Sequence, residues 1–163
     1  MLVRPSAANP VVSNTTLLVA LAGVRLLDLL PTLYSEVWIP DEVRAEYQRG
    51  IRPGEPDLNT LSWLRVVNVA LDLSLPPTLV LGETAVLSLA LATKASLVLI
   101  DEQRARRVAA QRGLPLAGSL AVLVQAKRQS LIPSVAPLVD TMIAQGRRIG
   151  PRLRARILTS AGE

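Results

Sequence analysis

The chain has 163 residues, half of them apolar and 19 % charged, which describes one globular domain with a sizeable core and not a disordered chain. It contains no Cys and no His, so disulfides, zinc–thiolate sites, thiol nucleophiles and imidazole acid–base chemistry are excluded. The net charge of +5 is unevenly spread: residues 1–100 hold seven basic and nine acidic side chains (−2), and residues 101–163 hold eleven basic and four acidic (+7).

Residues 1–10 read as a loose lead-in. Met1 to Ala22 carries Arg4, an apolar stretch and Ala20-Leu21-Ala22, as a secretory leader would, but Ser13-Asn14-Thr15-Thr16 interrupts the stretch. Val11–Asn14 reads instead as a first buried strand, with Thr16 capping a helix to about Ala22. A helical pattern over Leu26–Leu30 is stopped at Pro31. Glu36–Pro40 is a second short strand, and Asp41 is the N-cap of a helix that ends near Gly50. Ile51–Leu58 is a loop, Trp63–Val69 a third strand rich in β-branched residues, and Pro76-Pro77 part of another loop. Leu81–Thr93 is a helix, and Leu97–Ile100 is the clearest strand, running into helix 102–112 that Gly113 closes. Leu114–Ala117 is a short strand. Helix 119–129 follows, then a helix from Pro133 to about Gln145, and Pro151 opens a final basic helix. Arg25, Glu83 and Lys94 interrupt the longest apolar segments, so no membrane span is expected and a cytoplasmic protein is. The alternation predicts an α/β fold with helices on both faces of a mostly parallel sheet.

Open parallel sheets collect their chemistry beyond the carboxyl ends of the strands. Two apolar strands run into polar residues there, at Asn14 and Asp101. Glu83 opens its helix with Val86, Leu87 and Ala90 three, four and seven positions on, which sets it on an apolar stripe. Glu46 shares a face with Val43 and Tyr47. Each acid also has an ordinary role open to it: Glu83 at the positive end of a helix dipole, Asp101 as a helix cap, Glu46 paired with Arg49. Crowded carboxylates repel unless a cation sits among them, and without His or Cys the matching cation is Mg²⁺ or Mn²⁺.

The basic second half suits a polyanion. Only Trp38, Trp63, Tyr34 and Tyr47 are aromatic, so contacts with nucleic acid would run through phosphates and not through stacked bases. Arg104, Arg106 and Arg107, one turn beyond Asp101, are the candidates for holding a substrate backbone; the alternative is a solvated face or a surface for a protein partner. A phosphoacceptor receiver domain needs an acidic pair after the first strand, and Ser13-Asn14 offers none.

In order and spacing the chain resembles the PIN-domain family, in the branch related to the VapC-like toxins of toxin–antitoxin pairs. The carriers are Val12 to Thr16, Ile39-Pro40 with Val43 and Glu46, Leu81-Gly82-Glu83, and Leu99 to Glu102 followed by Arg106. Gly113-Leu114-Pro115, Gly118-Ser119-Leu120, Ala126-Lys127 and Leu131-Ile132 continue it to Ala161-Gly162. The resemblance implies a single PIN-like domain over 1–163 with a three-layer α/β/α fold around a central mostly parallel sheet. It implies a metal-dependent ribonuclease that hydrolyses RNA phosphodiester bonds, with an antitoxin protein and a second copy of the chain as partners. By position the family's acids fall on Asn14, Glu46, Glu83 and Asp101, which would hold Mg²⁺ or Mn²⁺, with Ser119 as the small hydroxyl residue beside them. Active PIN nucleases usually have Asp where this chain has Asn14. An amide oxygen can ligate a hard cation but brings no charge. The alternative is therefore a catalytically silent PIN-like module that binds RNA or a protein partner.

Overall fold

In the computed structural model, which describes residues 9–163, the elements run β1 (Val11–Ser13), α1 (Thr15–Gly23), α2 (Leu29–Tyr34), β2 (Val37–Pro40), α3 (Asp41–Gly50), β3 (Leu64–Val67) and α4 (Leu81–Thr93). They continue as β4 (Leu97–Leu99), α5 (Gln103–Gln111), β5 (Leu116–Ala117), α6 (Ser119–Arg128), α7 (Ala136–Ala144) and α8 (Pro151–Ala161). Residues 1–8, most of the expected lead-in, lie outside the described residues.

The sheet is parallel throughout, in the order β3-β2-β1-β4-β5, and with the flanking helices it forms the three-layer α/β/α fold. The centre is occupied by the most apolar strands. Val11, Val12, Val98 and Leu99 are essentially excluded from solvent, as strands covered by helices on both faces must be. The edge strands are short and partly exposed, which limits pairing with other chains. On the β3 edge the Arg65 guanidinium lies 4.6 Å from the Trp38 ring centroid, its cross-strand partner. The chain builds β1, β2 and β3 outward on one side, then returns across β1 to place β4 and β5 on the other. The strand order therefore reverses between β1 and β4. Their carboxyl ends open the crevice in which such folds bind ligands.

Several boundaries differ from the expectations, each for a local reason. Pro31 does not stop a helix but sits third in α2 behind Asp28, in the first turn, where a backbone N–H has no helical partner to lose. Helix α7 begins at Ala136, with Pro137 and not Pro133 in its first turn. Asn14, not Thr16, caps α1. Asp41 is the first residue of α3 and its carboxylate takes the Arg44 Nε–H at 2.8 Å in place of a backbone amide. β3 is confined to Leu64–Val67, because an edge strand packed on one side lacks the alternation that would extend it. In and just before α7, Ile132, Val135, Val139 and Met142 are all buried in the core. Among the described residues no helix is long and apolar enough to cross a membrane.

Candidate functional site

The site is organised by the first turn of α1. Asn14 ends β1, its N–H bonded to the Leu99 carbonyl of β4 at 3.1 Å, and its side chain is 5 % exposed. The Leu17 amide at 3.0 Å needs an acceptor, so the Asn14 Oδ1 faces it as the N-cap. That leaves Nδ2 to face the Glu102 carboxylate, which accepts from it and from the Thr16 hydroxyl. Asn14 therefore presents a donor to the crevice, where an Asp would present an oxygen.

The other acids take separate partners, and of these only Glu46 bonds the same turn directly. Glu46, exposed on α3, accepts from the Thr15 hydroxyl at 2.9 Å. Glu83 is 7 % exposed, reaches back to the Val80 amide at 3.0 Å, and lies 3.5 Å from the Arg104 Nε. Asp101 does not cap α5. It instead accepts the Ser119 amide at 2.8 Å, at the start of α6, and pairs with Arg147 Nη2 at 2.6 Å. Two glycines leave the acids room. A Cβ at Gly82 would fall 2.6 Å from the Glu46 carboxylate, and one at Gly118 would fall 2.8 Å from Asp101 Oδ1. Ser119 is buried as the first residue of α6 and contributes its amide.

Beside Asp101 and Glu102 opens a cleft of about 1040 Å³. Arg106 of α5 lines it, as do Arg147 and Arg148 of the α7–α8 turn and Arg156 of α8. Of the three arginines expected to hold a backbone, only Arg106 faces this space, and its Nη1 is bonded to the Ile100 carbonyl at 2.7 Å. Arg104 turns toward Glu83, and Arg107 is exposed elsewhere on α5. Helical geometry explains this, since Gln103 and Arg106, three apart, share the cleft face while 104 and 107 do not. Glu102, Arg147, Arg148 and Arg156 were not among the residues expected at the site. Glu102 adjoins Asp101 at the same strand end; Arg156 belongs to the basic terminal helix, and Arg147 and Arg148 stand in the turn before it.

For Mg²⁺ or Mn²⁺ the donors are right in kind, being oxygens, but not in placement. Asn14 turns its NH₂ inward, each Asp101 oxygen already accepts from Ser119 or Arg147, and Glu83 is held by the Val80 amide and Arg104. Among the described residues no three acidic side chains come together as a group able to hold a metal ion. The mutual repulsion of the acids is relieved by the chain's own arginines and by the positive end of α1.

Residues 10–163 match the family model DUF3368, described as a PIN domain. No curated relative matches the chain.

Proposed function

The chain belongs to the PIN-domain family, a nuclease-type fold, and from that premise we propose that it binds the phosphate backbone of RNA in the arginine-lined cleft at the carboxyl edge of its sheet. The observation that carries this reading is the pair Arg148 and Arg156, which line the cleft and form no ion pair among the described residues. A guanidinium without a carboxylate partner is available to a phosphate, with which it makes bidentate, charge-assisted hydrogen bonds. Each phosphate so neutralised releases counterions, which is the main source of sequence-independent affinity. With four aromatic side chains in the chain, stacking adds little. The choice of RNA over DNA rests on the resemblance to the ribonucleases of the family.

Fluorescence anisotropy with a labelled single-stranded RNA tests the reading. Reversing both charges, Arg148→Glu with Arg156→Glu, is expected to weaken binding by more than about tenfold, two phosphate contacts being replaced by repulsion. Unchanged affinity in a folded variant removes the proposal.

A second reading, hydrolysis of the bound RNA, is supported by membership of a nuclease-type family and by Glu46 and Glu102, which both accept from hydroxyls of the first turn of α1, with Asp101 next to Glu102 at the cleft. In this reading the chain acts with Mg²⁺ or Mn²⁺ as the toxin of a toxin–antitoxin pair, and the acids must first leave their present partners. Asp101→Ala then abolishes cleavage; cleavage that survives it rules this reading out.

A further inference from the structure

We infer that Arg147 is the resident counter-cation of the site, its guanidinium holding at Asp101 the place that a divalent ion would otherwise take. The backbone delivers this side chain by a fixed device. Helix α7 ends in a paired turn in which the Gly146 amide bonds the Ile143 carbonyl at 2.9 Å and the Arg147 amide bonds the Met142 carbonyl at 3.1 Å. That is a Schellman closure, and Gly146 supplies the left-handed residue it needs at φ +94°. Arg147 leaves the turn pointing into the cleft. Nη2 pairs with Asp101 Oδ2 at 2.6 Å, and Nη1 reaches the Thr16 carbonyl at 3.4 Å, so one guanidinium ties the turn after α7 to α1 and to the end of β4.

The two arginines that pair with acids of the site are not equivalent. Arg104 is about half exposed and 3.5 Å from Glu83, whereas the side chains of Arg147 and Asp101 are 22 % and 14 % exposed. A shorter pair in a less hydrated place is both stronger and more selective for its partner. A divalent ion approaching Asp101 would meet the guanidinium at contact distance and would have to displace it. Asn14 acts in the same direction, since its NH₂ holds the neighbouring Glu102 carboxylate where an Asp would add negative charge. The inference concerns cation binding alone and stands whether or not the cleft takes RNA.

The test is thermal unfolding of the full chain with and without millimolar MnCl₂. The wild type is expected to show no Mn²⁺-dependent shift. Arg147→Gln is expected to gain one, on the order of 3–5 °C at ten times the dissociation constant. Adding Asp101→Asn to Arg147→Gln should abolish the gain, which places the ion at Asp101. Arg147→Lys, which keeps the charge, should remain unresponsive. A wild type stabilised as much as Arg147→Gln, or an Arg147→Gln protein that ignores Mn²⁺, overturns the inference. Should Arg147→Gln not fold, electron paramagnetic resonance of free Mn²⁺ mixed with the wild type decides it: one bound ion per chain overturns the assignment, and none supports it.

Discussion

Two carboxylates of this molecule are laid on the start of a helix and paired with a cation, at opposite ends of the chain's later half. Glu163 accepts the Val135 and Ala136 amides at 2.6 and 2.9 Å, at the entry to α7, together with the Ser134 hydroxyl and the Lys127 ammonium at 2.9 Å each. Asp101 accepts the Ser119 amide at the entry to α6 and the Arg147 guanidinium. The local chemistry is the same: an acid satisfying orphan amides at the positive end of a helix dipole. What differs is the neighbourhood. Glu163 does not line the cleft, and its four donors account for it fully as a clamp between α6, α7 and the end of α8. Asp101 lies at the strand-order reversal, in a cleft whose other arginines form no ion pair among the described residues. A capped and paired acid is therefore ordinary structure until its surroundings say otherwise.

Substitutions separate the two cases. The largest effect is expected at Gly118, whose added Cβ would fall 2.8 Å from Asp101 Oδ1 and 3.2 Å from Arg106 Nη1. Gly118→Ala forces the carboxylate off the buried Ser119 amide, costing ~1–3 kcal/mol in urea unfolding, and disturbs the cleft as well. Glu163→Ala, by contrast, should lower Tm by about 2–4 °C while leaving RNA affinity intact. Its donors hold the Glu163 carboxyl down to about 2, from an ordinary 4.5, chiefly through the Val135 amide. A depressed acid stabilises the fold above its unfolded value. The advantage of the wild type over Glu163→Ala is thus full above about pH 4.5 and fades as pH falls through that value toward 2, a window that thermal melts at stepped pH can follow. The smallest effect belongs to Gly82→Ala. Its Cβ would also meet a carboxylate, at 2.6 Å, but Glu46 is exposed and can swing aside at the loss of its bond from Thr15, and Ala gains up to about 1 kcal/mol of helix propensity. Its melting temperature should stay level or rise slightly.

The sheet was legible because β4 is a continuous apolar run and β1 opens on Val11-Val12, and Asp101 and Asn14 were legible because each is a polar residue at the carboxyl end of its strand. The burial of Glu83 followed from its stripe of Val86, Leu87 and Ala90. The partners of these residues were not legible. Asn14 meets Glu102 across 88 positions, and Arg147 meets Asp101 across 46, contacts that depend on the return of the chain across β1 and on the turn after α7. For that reason the sequence does not reveal that a cation from a distant turn, Arg147, stands beside Asp101. The arginines of α5 were close to the site in sequence, yet the buried stripe of Ala105, Val108 and Ala109 turns most of them away from the cleft.

The central claim is that the cleft beside Asp101 holds a phosphate backbone through Arg148 and Arg156. Its most direct test is the salt dependence of affinity for single-stranded RNA, measured for the wild type and for the Arg148→Ala, Arg156→Ala double variant. Each lost phosphate contact flattens the plot of log K against log salt by about 0.7, so the account predicts a slope shallower by roughly 1.4 in the variant. Equal slopes would contradict it and move the binding surface away from this cleft.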